Sequence, residues 1–156
     1  MAISKSLEEH LKSRGIPYET VPHSHTVTSM QTAQAAHVSG EFVAKGVVLA
    51  EEDTYLLAVL PATHRLQFGW IHQHLGHHAG LATEDEVGRL FEDCEVGAVP
   101  ACGEPFGLKM IVEEKLLELP EICFESGDHE QLIHLSGEAF RELVEEAEVA
   151  SISRHI

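Results

Sequence analysis

The 156-residue chain predicts an α+β fold, a single domain (1–156) built around a mixed sheet. Three observations predict it. Two apolar runs, residues 42–50 and 54–60, flank the acidic turn "EED" and read as an antiparallel hairpin. Three more strand-like runs, "LKMIVEE", "EICFES" and "QLIHL", follow at close spacing in the second half. Helical segments with their own start signals stand between them, without the strict alternation of a βαβ fold.

The elements follow in chain order. Ser6 with Glu9 forms a capping box for a first helix, Leu7 and Leu11 share one face of it, and Gly15 with Pro17 stops it. "PYETV" is a short strand and "HSHTVTS" a loop. Ser29 caps an alanine-rich helix, "MQTAQAAH", which ends near Gly40. Pro61 ends the second hairpin strand. A histidine-rich, helix-like segment covers about 64–78. Thr83 with Glu86 is a second capping box, opening "EDEVGRLF". "CEVGAVPACGEPFG" reads as strand, glycine–proline loop and turn. Ser136 caps the last helix, "GEAFRELVEEA", and a short tail follows.

Composition narrows the function. Hydrophobic residues make up 44% and charged residues 23%, which suits a folded core. No window approaches the roughly 18 apolar residues of a membrane span, and the N-terminal stretch has no signal-peptide pattern. The three cysteines, Cys94, Cys102 and Cys123, show no CxxC spacing, which points to a reduced, cytoplasmic setting. With 26 acidic and 10 basic residues the net charge is −16, so wide contact with nucleic acid or an anionic membrane is disfavoured. A phosphate partner is held only locally, if at all.

Lys45 is therefore conspicuous. It stands inside the run Val43, Ala44, Gly46, Val47, Val48, apolar on both parities as in a strand covered on both faces. One reading is a lysine snorkelling from a half-exposed strand. The other is a cation held for an anionic or hydrogen-bonding ligand, with Gly46 letting that ligand approach the backbone. "GAVPACG", Gly97 to Gly103 with Val99 and Pro100 between, is a rigid loop whose N–H groups can hold an oxyanion, or else an ordinary turn. His23, His25, His72, His74, His77 and His78 invite a metal reading, but their spacing fits no standard zinc signature, and a polar helix surface is the expectation. Cys102 as a nucleophile lacks a base partner in the sequence. No cofactor and no metal are expected.

"PHSHTVTSMQTAQAAHVSG", "AKGVVL", "LLAVLPATHRL", "LATEDEVGRLFEDCEVGAVPACG" and "FESGDHEQLIHLS" resemble, in order and spacing across about residues 15–140, the YbaK family. These are aminoacyl-tRNA deacylases related to the editing domain of bacterial prolyl-tRNA synthetase. The resemblance implies a partly barrel-like sheet surrounded by helices, and a pocket for the aminoacylated 3′-terminal adenosine of tRNA. It implies that Lys45 holds the acylated 3′ end, with Gly46 beside it. The loop residues Gly97, Val99, Pro100 and Gly103 would position the ester carbonyl. His129, in "GDHE", would line the amino-acid pocket, or else be a turn residue after Gly127. Water would attack the ester, helped by a ribose hydroxyl of the substrate. Where some members carry an aspartate this chain has Leu132, a departure that bears on specificity relative to the branch that clears cysteine from proline tRNA. The low basic content implies contact with the acceptor end alone, or a partner such as an aminoacyl-tRNA synthetase that supplies the grip. A non-catalytic module of the same fold, binding a nucleotide or aminoacyl ligand, is the competing reading.

Overall fold

The computed structural model describes residues 3–24, 29–95 and 97–156. Its centre is a five-stranded sheet. β2 (Ala44–Ala50) and β3 (Tyr55–Pro61) form the expected hairpin, closed by the Glu51 N–H donating to the Thr54 carbonyl at 2.9 Å. β5 (Gly80–Leu81) pairs with the far side of β2. β6 (Lys109–Glu113) runs parallel to β3, and β9 (Glu148–Ala150) parallel to β6. The order is β5-β2-β3-β6-β9.

β3 and β6 are apolar on both parities because both their faces are covered. Leu57, Val59, Met110 and Val112 face the main core, with Phe91, Phe124 and Phe140. Leu56, Ala58 and Ile111 face a second cluster completed by Ile71 and Ile152. A three-stranded antiparallel sheet covers part of the main core: β1 (Glu19–Pro22), β8 (Gln131–Ser136) and β7 (Glu121–Glu125), in that order. A single parallel bridge, Val43 to Cys123, joins the two sheets into a partly wrapped, unclosed barrel. Leu132 is fully buried beside Ala33, Val43, Ala62 and Cys123, where the sheets meet.

Among the described residues five α-helices surround the sheets: α1 (Lys5–Ser13), α2 (Ser29–Ala35), α3 (Phe68–Leu75), α4 (Glu84–Leu90) and α5 (Gly137–Leu143). Two start signals stand as read. Thr83 and Glu86 exchange both capping-box bonds, and Ser136 Oγ accepts the Ala139 N–H. No helix among the described residues is long and apolar enough to cross a membrane.

α1 is capped by Ser4, not by Ser6 with Glu9; the Ser4 N–H is tied to the Ser126 carbonyl, and the Ser6 N–H goes to Asp93 Oδ2 at 2.9 Å. α2 stops at Ala35, five residues short of Gly40, and His37 takes a left-handed conformation. The histidine-rich stretch is not one helix. His64 belongs to a strand, β4 (His64–Leu66), and α3 ends at the left-handed Gly76, before His77 and His78. No strand forms among the described residues of "CEVGAV". The tail is β9 and β10 (Ser153–His155), the latter pairing with β4. Of the "HSHTVTS" loop, residues 25–28 lie outside the described residues.

Candidate functional site

β2 carries the site. Ala62 N–H donates to Val43 C=O at one end of the hairpin, and Glu51 N–H to Thr54 C=O at the other. Odd-numbered residues of β2 therefore bond β3, and even-numbered ones point away from it. On that outer side β5 reaches only Leu49 and Ala50, with Ala82 N–H adding a bond to Val48 C=O. Gly46 is thus left with an N–H and a C=O on an open strand edge, with no strand opposite among the described residues.

Lys45 is half-buried next to it. Its Nζ makes one long hydrogen bond, 3.5 Å to the Ala62 carbonyl, and pairs with no carboxylate among the described residues. Burial, and secondarily the charge of Arg65, hold its ammonium below the ordinary lysine pKa. Lys45 lines a hollow of about 350 Å³ with Val47, Leu60, His64, Arg65 and Phe68.

The loop from Gly97 to Gly103 crosses the other face of β2. A Cβ on Gly46 would lie 3.0 Å from Leu57 Cδ1 and 3.3 Å from the Pro100 carbonyl oxygen, so glycine lets loop and strand touch. Gly97 is exposed with φ +84°, and Val99 is half-buried. Gly46, Gly97 and Val99 line one cleft of about 270 Å³ with Val48, Ala82, Val87 and Phe91. Lys45 sits in the neighbouring hollow, which shares Val47 and Leu81 with this cleft. Pro100 is buried behind it. Gly103 fastens the loop rather than lining the cleft, since a Cβ there would meet the Leu108 carbonyl at 2.7 Å. His129 is also outside the cleft wall. It is 4% exposed with φ +59°, in the turn between β7 and β8. That turn is joined to the loop by the Glu95 N–H donating to the Gly127 carbonyl at 2.7 Å. A hollow of about 690 Å³ beside Tyr55 and Leu56 at the start of β3 shares no residue with the site. Glu51, Glu104, Glu146 and Glu148 line it, which makes it unfit for an anion.

The aminoacyl-tRNA editing domain family matches residues 23–143. The chain belongs to this family. No curated protein sequence matches it. Among solved structures, a protein described as a candidate trans-editing enzyme for prolyl-tRNA synthetase superposes with TM-score 0.84 at 25% identity, over 97% of this chain and 96% of that one. A hypothetical protein of solved structure superposes with TM-score 0.85 at 24% identity, over 96% of this chain and 100% of the other. The α+β architecture read from the sequence, and the resemblance to the prolyl-tRNA synthetase editing domain, stand.

This editing domain also holds a buried acid–base pair that sequence reasoning missed. His23 Nε2 lies 3.5 Å from Glu125 Oε1, and Thr32 Oγ1 donates to the same oxygen at 2.9 Å. His23 Nδ1 faces the Ser24 carbonyl at 2.7 Å, so Nδ1 carries a proton. Burial drives the Glu125 pKa up, against the Thr32 bond and the His23 charge. A carboxyl with a raised folded-state pKa binds its proton more tightly folded than unfolded. Stability is then lost as pH rises from the ordinary carboxylate range through the raised value. Glu125→Gln should flatten this part of the Tm profile from acid to neutral pH; a profile identical to wild type would show that Glu125 titrates normally. The signal was present in the sequence: Glu125 ends an apolar strand, as anomalous there as Lys45 is in β2.

Burial raises the pKa of all three cysteine thiols. Burial first, then the charge of Glu104, pushes Cys102 up to about 12. Cys94 is raised to about 12 and Cys123 to about 11, so none is a thiolate at neutral pH. Three histidines of the 72–78 stretch tie down local structure: His72 Nε2 is 2.8 Å from the Ala79 carbonyl, His74 pairs with Glu148 at 3.5 Å, and His77 with Glu51 at 3.2 Å.

Proposed function

We propose that this editing domain is a trans-editing aminoacyl-tRNA deacylase that hydrolyses the ester at the 3′-terminal adenosine of a misacylated tRNA. The observation that carries the reading is Lys45, a half-buried cation without a carboxylate partner among the described residues, beside the open edge at Gly46 and the loop seated on it. Lys45 would donate to a phosphate or ribose oxygen of the terminal nucleotide. The Gly46 N–H and the loop from Gly97 to Pro100 would bracket the ester carbonyl, and His129 would approach from the adjoining turn. Water adds to the carbonyl carbon, and a free ribose hydroxyl of the substrate orients it. The ester C–O bond to the sugar then breaks, the ribose oxygen takes up a proton, and the amino acid leaves as its acid. A substrate-assisted route suits a chain whose three thiols are all protonated. A synthetase that presents the tRNA would offset the acidic surface.

Deacylation of tRNAs charged separately with Ala, Cys, Pro, Ser and Thr tests this. At least one should be hydrolysed well above its spontaneous rate. No turnover on any of them, together with measurable binding of the ligand, would make the protein a non-catalytic binding module instead.

A further inference from the structure

Among ten basic residues set against 26 acidic ones, two arginines are brought together by the fold. β4 and β10 pair antiparallel, and Arg65 lies directly opposite Arg154 at the centre of the ladder. Both are exposed, and neither pairs with a carboxylate among the described residues. Like charges directly opposite on paired strands repel. A chain rich in glutamate could have neutralised the pair, yet the acids nearby are engaged elsewhere. Glu113 is buried and takes its bonds from Ile152 and Ser153, and Glu41 faces His155 at 3.8 Å.

The arginine pair adjoins the site. Arg65 and Lys45 line the same hollow, with His64 and Ile156. The positive field is felt there. Burial first, then the charge of Arg65, hold the Lys45 ammonium below its ordinary pKa. In a molecule of net charge −16 this is a local cationic spot. Guanidinium forks match phosphate oxygens bidentately, and two facing forks can grip one phosphodiester.

We propose that Arg65 and Arg154 form a clamp for a phosphodiester of single-stranded RNA, on the 5′ side of the nucleotide held at Lys45. The register along the RNA rests on the deacylase reading; the clamp itself is measured without turnover. The probes are the uncharged trinucleotide CCA, adenosine and inorganic phosphate, titrated by NMR into wild type, Arg65→Ala, Arg154→Ala, the double alanine variant and the double lysine variant. Each single alanine variant should weaken CCA binding about 5- to 10-fold at low salt, and the double variant more. The log–log salt slope should become shallower by about 0.7 for each phosphate no longer neutralised. Adenosine, which has no phosphate, should bind all variants alike, and the double lysine variant should keep most of the salt slope. Equal CCA affinity in wild type and double alanine variant would overturn the clamp. So would equal losses for CCA and adenosine, competition by inorganic phosphate as strong as by CCA, or a wild type that does not bind CCA. If every charged tRNA is inert while CCA binding keeps its dependence on the arginines, the deacylase reading falls and the clamp stands. If deacylation proceeds and the arginine variants match wild type in CCA binding, the clamp alone falls.

Discussion

Lys45→Ala should deacylate at least about 100-fold more slowly than wild type and yet melt at nearly the same temperature. The rate estimate follows the loss of one preorganised donor in a partly desolvated site, which costs roughly 10²–10³ in kcat. The stability estimate follows from what Lys45 does for the apo fold, which is little. Its only hydrogen bond among the described residues is 3.5 Å long, and its environment disfavours the charge by burial and by Arg65. A lysine whose folded-state pKa is depressed holds its proton more loosely folded than unfolded. Wild-type stability should therefore rise as pH climbs from the lowered value to the ordinary lysine value. Lys45→Met, which keeps the stem and removes the charge, should be at least as stable as wild type at neutral pH and lack that alkaline rise. Together these would mark Lys45 as a group kept for a ligand at some expense to the fold. A Lys45→Ala protein that deacylates at the wild-type rate, or that unfolds many degrees lower, would return the residue to the snorkelling reading.

What was legible in the sequence was local chemistry. The hairpin was readable because the turn 51–53 is polar and both flanking runs are apolar; α4 because Thr83 and Glu86 satisfy each other three residues apart. Lys45 was readable because a cation among valines violates the burial pattern. What was not legible depends on distant partners. Ser4 outcompetes Ser6 as a cap because its N–H is anchored 122 residues away at Ser126. "HRL" and "SRH" have weak strand propensity, and they pair because Ile152 and Ser153 are held by Glu113. The arginine pair therefore exists only in the folded chain: nothing in residues 64–66 or 153–155 alone places Arg65 across from Arg154. In the sequence His23 is one of a set of histidines whose spacing fits no zinc signature, and its partner in the fold is Glu125.

The same dependence makes Glu113 a position where a single change should cost much stability. Glu113 is fully buried at the end of β6. Its Oε1 accepts the Ile152 N–H at 3.1 Å, the Ser153 N–H at 3.0 Å and the Ser153 hydroxyl at 2.8 Å, while Oε2 accepts the Lys115 N–H at 3.1 Å. Glu113→Ala removes the acceptor for four donors, three of them in buried bonds. Orphaned buried donors cost about 1–3 kcal/mol each, and the strand can limit the total by coming away from β4. A loss of about 3–5 kcal/mol follows, which lowers Tm by roughly 6–20 °C in a chain of this size. Glu113→Gln keeps one acceptor oxygen and sets an amide NH₂ against a donor, so its loss should be intermediate. Amide exchange separates this account from a general loosening of the core. The Ile152 and Ser153 amides should lose protection in Glu113→Ala far more than those of Leu57 or Ile111 in the central strands. As β10 leaves, Arg154 leaves with it, and CCA affinity should fall to the level of Arg154→Ala while adenosine binding holds. A Glu113→Ala protein with wild-type Tm and protected Ile152 and Ser153 amides would show that apolar packing alone holds β10, with Ile152 set against Ile71 and Ile111 as its anchor.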